Sequence, residues 1–474
     1  MAAVNRRLLA LLVVVSLVGS CSSAAEAPTA SGDPAAPASP SPSTRAAETK
    51  PASSGASAPL SSPTTEPPLE TEPPLETETP PEVQPSATPF PTLGTWSAVG
   101  TLPTAGRVLG APLGAASLLL LDESSSAAWT WTLSSHAFIP APVIGPGRTL
   151  PAVTGLLGGR VLVAGGYNPD GVAYSSSYVF SGGNVGSWAK VGLLHVARAG
   201  ASAAVLPGGG VVIAGGIYAD DPKVPGTPLD SAELFNPSTL EWTVTGAMRF
   251  QRVAPLAVTL DNNRVLFFGS DPSRTIPGSD ALLTGEIYDP ATGSFAVTGR
   301  LPATSVALPP QAPSRVVPGS LVGVWPGNAL LIGYTTVYEG AYSGVLVRNF
   351  FLDHLTMRWG EIGSAYADIV GPGGQKFVSS STPNLYGAMA WTGLGSGSLV
   401  RVAGGSRPGG DPTDGYATRD MSMYDPVFFQ WHDQGPMPEA RRFAQVVALQ
   451  DGSILLLGGD GPGGARTLLR FARD

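Results

Sequence analysis

From residue 93 to the end, the chain alternates short apolar runs with turns rich in Gly, Pro and Asp. No stretch in this region shows the 3.6-residue period of a long amphipathic helix. Short apolar runs bounded by turn residues are typical of β-strands. The pattern therefore predicts an all-β domain over residues 93–474.

Within that domain an arginine and a glycine recur at a fixed distance. In four units the glycine follows the arginine by seventeen positions, and an apolar run precedes it. These pairs are Arg148–Gly165, Arg198–Gly215, Arg252–Gly269 and Arg441–Gly458. Arg315 stands eighteen positions before Gly333, and the unit that ends at Gly404-Gly405 lacks the arginine. A regular period of this kind indicates a repeat architecture.

A second signature lies further along each unit. An aromatic or apolar residue, often before Asp-Pro or Asn-Pro, is followed by an aromatic residue seven positions later. The pairs are Phe235–Trp242, Tyr288–Phe295, Tyr424–Trp431, Leu352–Trp359 and Trp131–Phe138, and Phe180–Trp188 is one residue longer. Because Asp and Pro favour turns, we expect a turn between two outer strands inside each pair.

The order arginine, apolar run, Gly-Gly, Tyr-Asp-Pro and Trp resembles the kelch repeat. Each kelch repeat forms one four-stranded blade of a β-propeller. The resemblance implies units that begin near Arg107, Arg148, Arg198, Arg252, Arg315, Leu385 and Arg441. The last unit lacks an outer strand, so we expect the strand around Trp96 to complete it and close a ring of seven. A ring of six blades is the alternative, because the first unit is short and lacks Gly-Gly.

The N-terminus predicts export. Arg6 and Arg7 precede an apolar run that ends at Gly19, which is shorter than the roughly twenty residues of a membrane span. Residues 17–21, Leu-Val-Gly-Ser-Cys, resemble a bacterial lipoprotein signal. The resemblance implies that residues 1–20 are removed and that Cys21 carries a lipid anchor on the extracellular or periplasmic side. A plain signal peptide is the alternative. Cys21 is the only cysteine, so no intrachain disulfide can form.

Residues 21–92 are predicted to be a disordered linker. Ala, Pro, Ser, Thr and Glu dominate, and such a segment cannot bury enough apolar surface to fold. The tandem Glu-Pro-Pro-Leu-Glu-Thr at 66–77 favours extended polyproline II geometry. We expect a spacer that holds the domain away from the membrane, with a proline-rich recognition ligand as the alternative.

Most of the net charge of −8 lies in this linker. The domain itself is nearly balanced, so charge gives no case for a nucleic-acid partner.

The sequence leans away from an enzyme and names no catalytic residue. The kelch resemblance includes galactose oxidase, whose copper site needs a crosslinked cysteine, and Cys21 lies outside the domain. The four histidines fall in different units without metal-ligand spacing, so no metal or cofactor is expected: His136, His195, His354 and His432. The acidic loop 411–420 could hold calcium, but a solvated loop is the favoured interpretation.

The candidate ligand-binding residues are the repeated arginines Arg107, Arg148, Arg198, Arg252, Arg315 and Arg441. In some kelch domains, arginines at similar positions face the mouth of the central channel and bind acidic ligands. The resemblance thus implies a ring of guanidiniums suited to carboxylates or phosphates. The alternative is structural, with each arginine bonded to loop carbonyls or neighbouring acids.

These features predict a lipid-anchored surface protein whose propeller recognises a carbohydrate, peptide or protein, including anionic ones. One alternative is a sugar-processing enzyme of the sialic-acid epimerase or hydrolase type. Its candidate acids, Glu233 and Glu286, lie on predicted outer strands, where structural bonding is favoured. The other is an extracellular scaffold, which would expose an apolar patch.

Overall fold

The computed structural model describes residues 94–472 except 106, 183–184, 261, 272–273, 276–278, 303–316, 325–327, 340–341, 371–375, 378–387, 393–398, 404–418, 420, 426–429, 442–443 and 460–465. The predicted signal peptide 1–20, Cys21 and the linker 21–92 lie outside the described residues. So do Arg315, Leu385 and the acidic loop apart from Arg419.

Regular structure in the described residues is almost entirely β-strand. The strands before the single short helix are β1 (Thr95–Thr101), β2 (Val108–Pro112), β3 (Ser117–Asp122), β4 (Ala128–Thr132), β5 (Phe138–Ala141), β6 (Ala152–Leu156), β7 (Arg160–Ala164), β8 (Ser177–Ser181), β9 (Ser187–Lys190), β10 (Ser202–Val205), β11 (Val211–Ala214), β12 (Ile217–Tyr218), β13 (Thr227–Pro228), β14 (Ala232–Asn236), β15 (Glu241–Val244), β16 (Leu256–Thr259) and β17 (Val265–Phe268).

The helix α1 (Asp280–Leu283) is one turn long. The strands after it are β18 (Gly285–Asp289), β19 (Ser294–Val297), β20 (Val317–Val324), β21 (Asn328–Glu339), β22 (Tyr342–Asp353), β23 (Arg358–Val370), β24 (Lys376–Phe377), β25 (Ala388–Thr392), β26 (Leu399–Ala403), β27 (Met421–Asp425), β28 (Gln430–Gln434), β29 (Gln445–Ala448), β30 (Ile454–Leu457) and β31 (Thr467–Ala472). The predicted all-β class is confirmed.

Within the described residues, these strands form seven antiparallel sheets of four or five strands and the small hairpin β12–β13. In chain order, the first to sixth sheets are β2–β5, β6–β9, β10-β11-β14-β15, β16–β19, β20–β24 and β25–β28. The seventh sheet joins β29, β30 and β31 to β1 from the other end of the domain, with Trp96 opposite Phe471. The predicted pairing of the Trp96 strand with the last unit is confirmed.

The first strands of successive sheets lie beside one another. β2 contacts β6, and the contacts continue through β10, β16, β20 and β25 to β29. β29 in turn contacts β2, so the series returns to its starting strand.

The apolar runs of the repeat are the second strands of their sheets, and they are fully buried in β11, β17 and β30. In β11, Val211 and Ile213 pack with residues of the second sheet, whereas Val212 and Ala214 pack against Phe267 of the fourth. Alternate side chains of a strand point to opposite faces. These runs are therefore continuously apolar, because a neighbouring sheet covers each face.

The two residues of the second signature lie opposite one another on the third and fourth strands of a sheet. Register partners are Trp131–Phe138, Phe180–Trp188, Phe235–Trp242, Tyr288–Phe295, Leu352–Trp359 and Tyr424–Trp431. The Trp242 indole N–H donates to Ser177 Oγ of the preceding sheet at 2.9 Å. The Trp359 indole likewise donates to Thr298 Oγ1 at 3.0 Å. The indoles of Trp242 and Trp359 therefore link neighbouring sheets.

Candidate functional site

The seventeen-residue spacing corresponds to a hydrogen bond inside each unit. A guanidinium Nη1 donates to the main-chain oxygen of the glycine seventeen positions later. The bonds are Arg148–Gly165 at 2.8 Å, Arg198–Gly215 at 3.0 Å, Arg252–Gly269 at 3.1 Å and Arg441–Gly458 at 3.4 Å. The arginine that precedes the first strand of a unit is thus hydrogen-bonded to the end of the second strand.

The glycine pair then connects one unit to the next. Gly215 has φ +71°, and a Cβ at this position would lie 2.4 Å from the carbonyl oxygen of Arg252. The next residue, Gly216, donates its N–H to that oxygen at 2.8 Å. Gly165-Gly166 contact Arg198 in the same way. Glycine is needed here because any side chain would both clash and disfavour the positive φ.

In the third and fourth sheets, the arginine also pairs with a carboxylate on the third strand. Arg198 Nη2 lies 2.8 Å from Glu233 Oε1, and Arg252 Nε lies 3.0 Å from Glu286 Oε1. All four side chains are at most 1% exposed. Both acids accept two further main-chain N–H groups; for Glu233 these are from His195 and Val196. Such satisfied partners are what a buried charge requires.

Burial lowers the pKa of the Arg198 and Arg252 guanidiniums, and the charges of Glu233 and Glu286 partly offset that effect. Every guanidinium nitrogen of Arg198 donates to a protein oxygen. The contacts match the structural alternative, with loop carbonyls and neighbouring acids as partners.

Arg148 and Arg441 are enclosed as well, with exposed fractions of 2% and 0%. Arg148 lies over the ring of Tyr174 at 4.3 Å and donates to Ser176 Oγ at 2.7 Å. Arg441 pairs with Glu439 at 2.8 Å. The structure therefore does not bring these four repeated arginines to a shared exposed surface.

Arg107 is different. Its side chain is 70% exposed, while its partner Glu123, 3.1 Å from Nε, is only 7% exposed. The first unit has no glycine pair. Asp122-Glu123 stand at the end of its apolar strand instead. The Glu123 N–H donates to the main-chain oxygen of Arg107 at 3.0 Å, so the two residues are joined through the main chain too.

Arg107 lines a cavity of about 730 Å³. The wall comes from the beginnings of β2, β6, β10, β16 and β29, and most of it is small or apolar, including Ala152, Ala203 and Ala257. Arg107 is the one charged side chain among the described lining residues. The volume falls in the range of about 300–1,000 Å³ that suits small ligands.

Polar side chains at the wall are already engaged with the protein. Gln445 donates to Gly110 O at 2.8 Å and accepts from Gly110 N at 2.7 Å, which ties β29 to β2. Ser202 Oγ donates to the Pro255 carbonyl, and Thr104 Oγ1 donates to Asp122 Oδ2 at 2.7 Å. Arg107 is therefore the lining group best placed to meet a ligand.

Two adjacent carboxylates, Asp122 and Glu123, lie at the end of β3, and Glu123 pairs with Arg107. Burial raises the pKa of Glu123, and Arg107 and an N–H from Leu150 only partly offset it. Burial acts in the same sense on Asp122, but hydrogen bonds from Ser124 and Thr104 hold its pKa below the usual value. Sequence reasoning missed Glu123. The available signal was an acidic pair directly after the apolar run of β3.

The predicted acids Glu233 and Glu286 lie in the enclosed ion pairs and not at this cavity. In the described part of the chain, no three His, Cys, Asp or Glu side chains are grouped as a metal site would need. Nor is any helix there long and apolar enough to cross a membrane. A scan against known family models and a search of curated proteins both found no match.

Proposed function

We propose that residues 93–474 form a seven-bladed β-propeller of the kelch type. Seven sheets in the described residues, the repeated arginine–glycine bond and the outer aromatic pairs support this architecture. The contacts of the first strands return from β29 to β2, and β1 supplies the outer strand of the last sheet. A ring closed in this way leaves only short, protected edges.

The propeller is a binding module, and its ligand site is the cavity at Arg107. The ligand is a small polar molecule with an anionic group, such as an acidic carbohydrate or an acidic peptide. The observation that carries this proposal is the exposed guanidinium at the wall, held by Glu123 through Nε. That arrangement leaves the two Nη groups for a bidentate bond to a carboxylate.

The rest of the chain places this module at the cell surface. Export by the signal at 1–20 and lipidation of Cys21 anchor the protein to a membrane, and residues 21–92 act as the spacer. An anchor of two or more acyl chains would hold stably, whereas one chain gives marginal binding.

The enzyme alternative would rest on Glu123, since its raised pKa and its contact with Arg107 suit a proton donor. A sugar-processing activity predicts turnover of an acidic sugar that disappears with Glu123→Gln. Binding without turnover favours the binding module.

Calorimetric titration of the detergent-purified full chain tests the proposal. The panel is glucuronate, N-acetylneuraminate, an acidic peptide and neutral glucose, with thermal unfolding in parallel. A ligand at one hundred times its Kd should stabilise the fold by about 2.7 kcal/mol.

Arg107→Gln should abolish anion binding without a change in Tm. The matched control Arg249→Gln, an exposed arginine that is not among the cavity-lining residues, should bind like the wild type. Anion binding that survives Arg107→Gln would overturn the cavity as the site. No binding by any probe would instead favour a protein partner or a scaffold.

A further inference from the structure

Glu123, the ionic partner of Arg107, lies beside the cavity. We propose that Glu123 determines the charge selectivity of this site: it orients Arg107 and, through its own negative charge, favours ligands that carry a single negative charge. This inference rests on the proposed function.

Orientation follows from the contacts of the pair. The Arg107 side chain is 70% exposed, and Glu123 is its ionic partner among the described residues, at 3.1 Å from Nε. A free arginine side chain carries roughly 2 kcal/mol of rotamer entropy. The carboxylate removes part of that freedom before a ligand arrives, which lowers the entropic cost of binding.

Selectivity follows from the local charge. Two groups exert a charge effect on Glu123: Arg107, which precedes β2, and Asp122, which ends β3. From the β6 side, Leu150 contributes a main-chain N–H, and Arg148 donates its N–H to the Glu123 carbonyl. The charges that act on Glu123 are thus one cation, Arg107, and one further carboxylate, Asp122. A second negative charge on a ligand would gain no further cation and would be repelled by both acids.

The Arg252–Glu286 pair differs in its exposure. Glu286 is 0% exposed, and the cation opposite it, Arg252, is buried as well. The cation opposite Glu123 is instead exposed. Burial raises the pKa of Glu123, so a proton neutralises this carboxylate more readily than an ordinary glutamate. Loss of that charge should strengthen the attraction of Arg107 for an anion.

The test uses the full chain in detergent and compares glucuronate, glucose 6-phosphate and glucose 6-sulfate by calorimetry. The wild type should prefer the singly charged glucuronate over the doubly charged phosphate at neutral pH. Glu123→Gln keeps an acceptor for Arg107 but removes the charge. It should shift the preference towards the phosphate by about fivefold.

A second variant separates orientation from charge. Glu123→Ala should bind all three anions more weakly than Glu123→Gln, because both variants lack the charge and only the alanine leaves Arg107 without an acceptor. Glu241→Gln, which removes an exposed glutamate from β15, is the matched control and should behave like the wild type.

The dependence of anion affinity on pH is a further test, because a purely structural role of Glu123 would not change it. Glucose 6-sulfate keeps one charge throughout, so the wild type should bind it more tightly as pH falls from 8 to 5. Glu123→Gln should give a flat profile.

Arg107-dependent binding with unchanged selectivity and an unchanged pH profile in Glu123→Gln would overturn this inference alone. If the wild type shows no anion binding that depends on Arg107, the proposed function is overturned as well. Should Glu123→Gln fail to fold, a flat profile in the wild type would still contradict the role of Glu123.

Discussion

The arginine–glutamate pairs of the third and fourth sheets contrast with the pair of the first sheet. In Arg198–Glu233 and Arg252–Glu286 both partners are enclosed, and the acid accepts further main-chain N–H groups. In Arg107–Glu123 the acid is enclosed but the cation is exposed at a cavity. The same two residue types thus form a buried ion pair in one place and leave a guanidinium exposed at a cavity in another.

The two units differ where the second strand ends. In the third unit, Gly215-Gly216 allow the Arg252 carbonyl to approach closely, and the Gly215 carbonyl accepts a hydrogen bond from Nη1 of Arg198. The first unit has Asp122-Glu123 at the end of its second strand. There Arg107 pairs with Glu123, and its guanidinium stays exposed.

The largest contrast is expected when the cation is removed. Arg252→Met leaves Glu286 buried without its partner and removes a hydrogen-bond donor to three main-chain carbonyls, so the free energy of unfolding should fall by about 3–5 kcal/mol. Arg107→Met removes a cation whose side chain is 70% exposed, so the loss should be smaller, about 1 kcal/mol. Denaturant unfolding of both variants measures this, and equal losses would remove the distinction between the pairs.

The glycine pair gives the next effect. Gly215→Ala introduces a Cβ 2.4 Å from the Arg252 carbonyl at φ +71°. The free energy of unfolding should fall by about 1–3 kcal/mol. Gly208→Ala is the control, since no atom lies within 4 Å of its Cβ position. If the two alanine variants were equally stable, the inter-sheet contact would not require glycine.

The smallest effect concerns Glu123 and pH. Because burial raises its pKa in the folded state, folding favours the protonated form. That contribution to stability is present at low pH and is lost as pH rises through the folded-state pKa. The stability of Glu123→Gln relative to the wild type should therefore rise between pH 4 and pH 7. Thermal unfolding of both proteins at both pH values checks this, and a relative stability that stays constant or falls would contradict it.

The sequence predicts the strands well because both signatures have a local geometric cause. Fully buried second strands require continuous apolar runs, and the outer aromatic pairs are simply register partners across a turn. The pairing of Trp96 with the last sheet was predictable because an unpaired strand remained at each end of the domain.

The role of the arginines could not be settled in the same way. Spacing places each arginine before a first strand under either interpretation. The acid that encloses Arg198 is 35 residues away on another strand. The sequence did not predict Glu123 as a site residue, because its unit lacks the glycine pair by which the other units were recognised.

Arginine modification by phenylglyoxal, followed by peptide mass mapping, separates exposed from buried arginines in the folded full chain. We expect rapid modification of Arg107 and protection of Arg107 by a bound anionic ligand. We expect no modification of Arg148, Arg198, Arg252 or Arg441 until the protein unfolds. Modification of those four in the folded protein, or an unreactive Arg107, would contradict this expectation.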